Sequence, residues 1–155
     1  MNMKRIFIDK DKCDGCKNCT FACMQAHRPE PGSFYDLDLL DPRNEARHEI
    51  VNDGKGGYIP IYCRHCSVPD CAGACMSGAL KKDPSTAHIQ YDQNRCGICF
   101  MCVMSCPYGN VKPDRASRTR ILKCDFCKEH DEEPSCVKNC PTKALYVEEV
   151  AVWEM

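Results

Sequence analysis

The segment CGICFMCVMSCP, residues 96–107, contains four cysteines and a proline within twelve residues. Such crowding has three ordinary explanations, which are disulfide bonds, a zinc site and an inorganic cluster. The whole chain has 155 residues, and 16 of them are cysteines. So high a fraction indicates that covalent or metal bonds hold the fold together, with less reliance on an apolar core.

The composition favours metal binding over disulfide bonds. The first residues, MNMKRIFIDKDKC, lack the apolar run of a secretion signal, and no later segment approaches the roughly 18 apolar residues of a membrane span. We therefore expect a cytoplasmic protein without a transmembrane segment, where reducing conditions disfavour structural disulfides. The formal net charge of −1 counts every thiol as neutral. It does not indicate nucleic-acid binding, and no nucleic-acid partner is predicted.

The cysteines fall into four groups that each end in C-x3-C. Groups one and three have the spacing C-x2-C-x2-C-x3-C, whereas the third cysteine lies further along in groups two and four. In bacterial ferredoxins this spacing directs three thiolates to one iron–sulfur cluster and the fourth to a neighbouring cluster. Zinc takes four ligands, typically from two C-x2-C pairs, which leaves the third cysteine unexplained. We therefore predict iron–sulfur clusters, with zinc as the alternative. Numbered in chain order, the groups span residues 13–23, 63–75, 96–106 and 124–140.

Strand-like runs beside the groups predict which groups pair. RIFID and AHIQYD precede groups one and three, while ALKKD and ALYVEEV follow groups two and four. A strand, a turn near Asp83-Pro84-Ser85 and a second strand join groups two and three. These two groups are expected to form an inner unit, residues 63–106. Groups one and four are left to form an outer unit, residues 1–26 plus 107–155, and residues 27–62 form an inserted loop and a hairpin of EARHEIV with GYIPIY.

Exchange of the fourth cysteine within each pair predicts four ligand sets. We name them sites A and B in the outer unit and sites C and D in the inner unit. Site A takes Cys13, Cys16, Cys19 and Cys140, and site B takes Cys124, Cys127, Cys136 and Cys23. Site C takes Cys63, Cys66, Cys71 and Cys106, and site D takes Cys96, Cys99, Cys102 and Cys75.

The segments YCRHCSVPDCAGACMSGAL (62–80) and CFMCVMSCPYGNVKPD (99–114) carry the nearest likeness, and the spacing of all sixteen cysteines makes nearly the whole chain resemble a known family. It comprises the four-cluster, ferredoxin-like electron-transfer subunits that serve formate dehydrogenase, hydrogenase and dimethyl sulfoxide reductase. Within it, the chain is most similar to the iron–sulfur subunit of nickel carbon monoxide dehydrogenase. The resemblance implies an α+β fold of two pseudo-symmetric bacterial ferredoxin-like units, with short strands, short helices and long loops around four [4Fe–4S] clusters. Methionine stands at Met24 and Met76, where the family usually has proline.

Four clusters with complete cysteine ligation offer no open iron to a substrate. We therefore predict an electron-transfer subunit of an oxidoreductase complex in anaerobic metabolism, and no enzyme activity of its own. The expected partners are a catalytic oxidoreductase, with carbon monoxide dehydrogenase first, and a second redox protein. A tungsten aldehyde oxidoreductase, a formate dehydrogenase or a hydrogenase is the alternative catalytic partner. A structural zinc protein that mediates assembly is the alternative from another class.

Several other residues receive modest predictions. His65, between Cys63 and Cys66, is expected near a cluster or at the surface, where it could tune a potential by hydrogen bonding. The basic run 112–123 is expected to be a solvated loop. The other histidines are expected to be exposed or locally bonded, and they are His27, His48, His88 and His130. The residues expected to pack against clusters and exclude water are Phe100, Met101, Met104 and Phe126.

Overall fold

The computed structural model describes residues 2–129 and 133–151. It is an α+β structure of short elements, as predicted. The helices are α1 (Asn18–His27), α2 (Asp70–Gly73), α3 (Met101–Ser105) and α4 (Ser135–Lys138). The strands are β1 (Asn2–Ile8), β2 (Glu49–Asn52), β3 (Tyr58–Ile61), β4 (Leu80–Lys82), β5 (Ile89–Tyr91), β6 (Lys112–Pro113), β7 (Ile121–Leu122) and β8 (Leu145–Ala151).

The strands form antiparallel pairs, and β1 pairs with β8 across almost the whole length of the chain. The register runs from Asn2 opposite Ala151 to Ile8 opposite Leu145. Within the first of these strands, Met3 and Ile6 are buried. The predicted contact between the first and last strands is therefore present, and it places groups one and four beside each other. Helices α1 and α4, which carry cysteines of these two groups, also pack together.

Strands β4 and β5 form the predicted hairpin between groups two and three, with Leu80 opposite Tyr91. The turn is held by the Asp83 carboxylate, which accepts hydrogen bonds from the backbone N–H of Ser85 at 2.7 Å and of Thr86 at 3.1 Å. A turn aspartate that caps its own backbone in this way is a common device. The same region brings α2 and α3 into contact, so groups two and three are also neighbours.

The inserted hairpin is also present, with β2 and β3 in register from Glu49 opposite Ile61. Its first strand begins later than the predicted run 45–51, because the backbone before β2 is hydrogen-bonded to Cys23 and not to a neighbouring strand. The backbone N–H of Arg47 donates to Sγ of Cys23 at 3.3 Å. A backbone donor engaged with a thiol has no free N–H for a neighbouring strand, so the ladder starts later.

Two of the three apolar clusters in the described structure include cysteines, and the third is a small group around Met3 and Ala87. The first combines Ile6, Tyr62, Phe126 and Leu145 with cysteines of groups one and four, which are Cys19, Cys124, Cys136 and Cys140. The second combines Leu80, Ile89, Val111 and Ile121 with cysteines of groups two and three, which are Cys71, Cys75, Cys102 and Cys106. Both cores are small, so cysteine ligation is expected to contribute much of the folding free energy.

The basic run 112–123 is not a solvated loop throughout, and that prediction is wrong for its ends. Strands β6 and β7 pair within it. The Lys123 side chain is buried, and its Nζ donates to the carbonyl oxygens of Ile89 and Cys124. Lys112 forms ion pairs with Glu45 at 3.1 Å and with Glu49 at 3.2 Å.

Among the residues described, we find no helix with the length and apolar character needed to cross a lipid bilayer.

The loop between β6 and β7 depends on Asp114, which is 3% exposed. Its carboxylate accepts hydrogen bonds from the backbone N–H of Ser117 at 3.0 Å and of Arg120 at 3.2 Å. Because Asp114→Ala leaves these donors unpaired, we expect a loss of about 1–3 kcal/mol of stability. Thermal unfolding under anaerobic conditions measures the change.

Asp38→Ala is the matched control, since the exposed Asp38 carboxylate also accepts a backbone hydrogen bond, from Leu40 at 2.8 Å. We expect only a small change for this variant, because water replaces the lost partner. Equal unfolding temperatures for the two variants would contradict the role of Asp114.

Candidate metal centres

All sixteen cysteines lie within the described residues, and all are free thiols. The disulfide explanation therefore has no support from the geometry. What the structure offers is a set of thiols grouped by short loops, with two of them exposed, Cys16 and Cys99. Cysteine is a soft ligand that suits iron–sulfur clusters and zinc, so the donor set fits a metal centre of either kind.

One cavity is lined by all four cysteines predicted for site A, which are Cys13, Cys16, Cys19 and Cys140. The loop that supplies three of them turns through Gly15, at a φ of +73°. A Cβ at Gly15 would lie 2.5 Å from the ring of Tyr58, so only glycine fits there. Groups one and four thus contribute to one cavity, while the ligand sets themselves stay a prediction.

The loops between the cysteines have an unusual backbone. Several residues without the freedom of glycine have left-handed φ values inside the four groups, and they are Lys17, His65, Ile98, Phe100, Phe126 and Cys127. Such conformations are costly and persist where the surroundings require them. Alternation of right- and left-handed residues turns successive N–H groups toward one point and creates an anion-binding concavity that is common at iron–sulfur sites. The backbone therefore fits a cluster better than a bare zinc ion.

Cys23 and Cys127, both predicted for site B, contact a polar network that the sequence did not reveal. Cys23 is buried, and the imidazole of His27 is beside it. Nδ1 of His27 lies 2.8 Å from the Cys23 carbonyl oxygen, and Nε2 lies 3.1 Å from the Asp125 carboxylate. Both neighbours only accept hydrogen bonds, so both ring nitrogens are donors and the ring is an imidazolium.

The pKa values in this network agree with its geometry. Burial lowers the pKa of His27, but the hydrogen bonds to Asp125 and Cys23 outweigh it and raise the pKa to about 10. For Cys23, burial acts to raise the pKa, but hydrogen bonds with His27 and His48 lower it to about 6. Cys23 is therefore prepared as a thiolate, which is the form that binds metal.

Asp125 joins this network to the inserted segment and to group four. Its carboxylate forms an ion pair with Arg47 and accepts a hydrogen bond from the N–H of Cys127 at 3.1 Å. Ligand atoms of His27, Asp125 and Cys127 all lie within 4.8 Å of one another. Since Cys127 and Cys23 belong to one predicted set, we interpret His27 and Asp125 as the surroundings of site B, with no separate metal ion. Asp125 lies inside the motif between two cysteines, whereas nothing in the sequence marked Arg47.

Cysteines predicted for sites C and D belong to the second core or pack against it. Sγ of Cys75 accepts a hydrogen bond from the N–H of Leu80 at 3.4 Å, which ties the end of group two to β4. Cys102 is buried in this core. Burial raises the pKa of Cys71 to about 11, and the nearby Cys63 thiol acts in the same direction.

The two cores are connected beside Cys124. Nζ of the buried Lys123 donates to the carbonyl oxygen of Ile89, in the second core, and to that of Cys124, which packs against the first. Burial raises the pKa of the Cys124 thiol. The two exposed thiols, Cys16 and Cys99, are in the sets predicted for sites A and D.

Five buried side-chain donors lack a hydrogen-bond partner among the described residues, and three of them lie close in sequence to a cysteine. These three are Tyr62 Oη, His65 Nε2 and Asn110 Nδ2, and the other two are Arg5 Nε and Arg47 Nε. Nδ1 of His65 accepts from the N–H of Ile89 at 2.9 Å, so its proton is on Nε2. Buried donors usually have partners, so an acceptor is expected here. Thiolate ligands accept hydrogen bonds at either kind of centre, and an iron–sulfur cluster would add its inorganic sulfides as further acceptors.

The histidines predicted to be exposed or locally bonded include two that are buried, His48 and His88. That prediction is wrong for both, because each contacts a residue far away in sequence. Nε2 of His88 donates to the Lys4 carbonyl oxygen at 2.7 Å, and His48 stacks on the Tyr62 ring. His65 is buried rather than superficial, and His130 lies outside the described residues.

The predicted water-excluding residues divide into two kinds. Phe126 is 1% exposed and belongs to the first core, as expected. Met104 is 84% exposed and Met101 is 48% exposed, so the prediction is wrong for both methionines. They lie on the outer surface of the short α3 helix, where one side must face away from the core. Phe100 is half-buried against the second core.

Comparison with solved structures shows a similar fold. The chain is similar to the structure titled active site complex BamBC of benzoyl coenzyme A reductase in complex with zinc, with a TM-score of 0.57 and 30% sequence identity. The match covers 100% of this chain and 83% of that one.

Comparison with characterised sequences points to electron transport. Electron transport protein HydN of Escherichia coli K12 is 32% identical, over 90% of this chain and 85% of its own. The NADH-dependent phenylglyoxylate dehydrogenase subunit beta of Aromatoleum evansii is 33% identical, over 96% of this chain and 32% of its own. A family model described as a 4Fe-4S dicluster domain matches residues 55–150. The chain therefore belongs to the 4Fe-4S dicluster domain family and is a ferredoxin-like electron-transfer protein.

Proposed function

We propose that this chain relays electrons through four [4Fe–4S] clusters, held at sites A to D in that order. The observation that carries the proposal is the exposure of Cys16 and Cys99, which belong to sites A and D. Cysteines of sites A and B lie in the first core, cysteines of sites C and D lie in the second, and Lys123 bonds to Ile89 and Cys124 between them. An electron could therefore enter at one exposed site and leave at the other.

Bound clusters would supply the ability to take up and release single electrons. The chain itself supplies thiolate ligands, low solvent access and a fixed arrangement of the sites. Phe126 and Leu122, both buried, help keep water from the middle of the series. The Arg47 guanidinium and the His27 imidazolium place positive charge beside Cys23, which offsets the negative charge of thiolate ligands.

The chain acts as an electron-transfer subunit and not as an enzyme, in keeping with its relatives. We propose the two ferredoxin-like units with the boundaries given above, 63–106 and 1–26 with 107–155. A catalytic oxidoreductase would bind at one end and a second redox protein at the other, in the cytoplasm.

The identity of the catalytic partner is open to several proposals. The relatives include Hydrogenase-2 operon protein HybA of Escherichia coli O157:H7, 31% identical over 90% of this chain and 50% of its own. The segments 62–80 and 99–114 favour carbon monoxide dehydrogenase through their resemblance to its iron–sulfur subunit. A hydrogenase, or a tungsten or molybdenum enzyme, is the alternative.

The cofactor proposal predicts a brown protein when the chain is purified without oxygen. The iron content and the acid-labile sulfide content per chain should both approach those of four [4Fe–4S] clusters. The broad visible absorption should bleach with dithionite. Metal analysis and absorption spectroscopy measure these quantities. A colourless protein containing zinc would instead favour the structural assembly alternative.

The ligand sets predict which cysteine variants damage the same cluster. Cys23→Ser should damage the same cluster as Cys124→Ser, because both residues belong to site B. Cys13→Ser should damage a different one. Electron paramagnetic resonance spectra of the reduced variants report which signal is lost. The assignment is wrong if Cys23→Ser reproduces the spectrum of Cys13→Ser.

The partner is tested by anaerobic affinity purification from the native cell, followed by metal analysis of the complex. Nickel, together with cluster reduction on addition of carbon monoxide, is expected if the partner is carbon monoxide dehydrogenase. Nickel without that response indicates a hydrogenase. Tungsten or molybdenum would contradict the carbon monoxide dehydrogenase proposal and support the alternative.

A further inference from the structure

Tyr62 is the residue between strand β3 of the inserted hairpin and the first cysteine of group two. Its side chain does not face the inner unit that follows it in sequence. It is 4% exposed and packs in the first core, where cysteines of groups one and four also lie, among them Cys19 and Cys136. The inserted segment thus places the phenol of Tyr62 in the first core.

The hydroxyl group of Tyr62 is a buried polar group without a hydrogen-bond partner of ordinary geometry within the described residues. A buried hydroxyl without a partner costs roughly 1–3 kcal/mol. An ordinary phenol has a pKa of about 10, so the group carries its proton at neutral pH and is able to donate it.

The ring of Tyr62 is held in place by its neighbours. It stacks on the His48 imidazole with ring centroids 4.2 Å apart and an angle of 12° between the planes. Nε2 of His48 in turn lies 3.4 Å from the Thr20 hydroxyl. The hydroxyl position is therefore set by a packed pair of rings and does not depend on a flexible side chain.

The surroundings of this side chain contain cysteines of two predicted ligand sets. Tyr62, Cys19 and Cys136 are buried members of the same core. Cys19 is predicted for site A and Cys136 for site B, so the phenol lies in the core that both outer sites would share.

We propose that the Tyr62 hydroxyl donates a hydrogen bond to a ligand sulfur of the outer clusters and raises their reduction potential above that of the same site without the donor. The physical reason is that a reduced cluster carries more negative charge on its sulfurs, and a donor stabilises this form more than the oxidised one. Tyr62 acts through the ligand and is a positioning residue. The inference rests on the proposed function, because it needs clusters at sites A and B.

Tyr62→Phe tests the proposal, since it removes the hydroxyl and keeps the ring and its stacking on His48. A potentiometric titration followed by electron paramagnetic resonance resolves the one-electron steps of the loaded protein. We expect one or two of the steps to move to lower potential, by up to a tenfold change in the equilibrium constant, which is about 59 mV. The remaining steps, which belong to the inner clusters, should not move.

Tyr146→Phe is the matched control, because Tyr146 loses the same hydroxyl from a partly exposed ring that stacks on Phe7 in the β1–β8 pair. Its titration should match that of the unmodified protein. Iron content and thermal stability of both variants report whether the clusters are intact. Unchanged steps in a fully loaded Tyr62→Phe protein, or an equal shift of all steps, would overturn the proposal.

A second replacement keeps the test decisive if Tyr62→Phe does not assemble. Incorporation of 3-fluorotyrosine at position 62 makes the phenol more acidic and a stronger donor, so the same steps should move to higher potential. If they do not, the proposal is wrong. A colourless unmodified protein is a different result, since it would remove the proposed function and not only the role of Tyr62.

Discussion

The convergence of thiols is the constraint on which the rest of this structure depends. Short loops must bring sulfur atoms together from both ends of a group, and their left-handed residues, such as Phe126 and Cys127, are the conformational cost. Strand pairing, helix contacts and both cores serve this purpose. Each core contains cysteines among its buried members, so the apolar interior and the metal ligands are the same part of the molecule.

Charge is the second theme, because thiolate-bound clusters would concentrate negative charge inside a small protein. The chain brings cations close to them. Lys123 is buried beside Cys124, and Arg47 and His27 meet Asp125 next to Cys23. Cations at these places lower the electrostatic cost of burying thiolates, while the hydrogen-bonded network fixes where each cation lies. Most of these groups lie near the middle of the proposed series, where solvent is scarce.

Much of the fold could be predicted from local sequence patterns. The strands around Asp83 and the pairing of the terminal strands follow from alternating apolar residues and from the spacing of the groups. The burial of His48, His88 and Lys123 could not be predicted, because each is held by contacts distant in sequence. Cysteine spacing identifies candidate ligands but not what surrounds them. Arg47 and Tyr62 come from the inserted segment, whose sequence carries no repeat that would have signalled a role.

The pairing of β1 with β8 has a consequence for the order in which the molecule is made. Ribosomes synthesise the chain from its amino terminus, so β1 has no strand to pair with until residues 145–151 have emerged. The β4–β5 hairpin, by contrast, has both its strands within residues 80–91 and can close early. With the proposed ligand sets, the inner sites would be complete when residue 106 appears, whereas the outer sites need Cys136 and Cys140. The inner unit would therefore be ready for metal while group one is still exposed, and the last strand would close the molecule around a centre already formed.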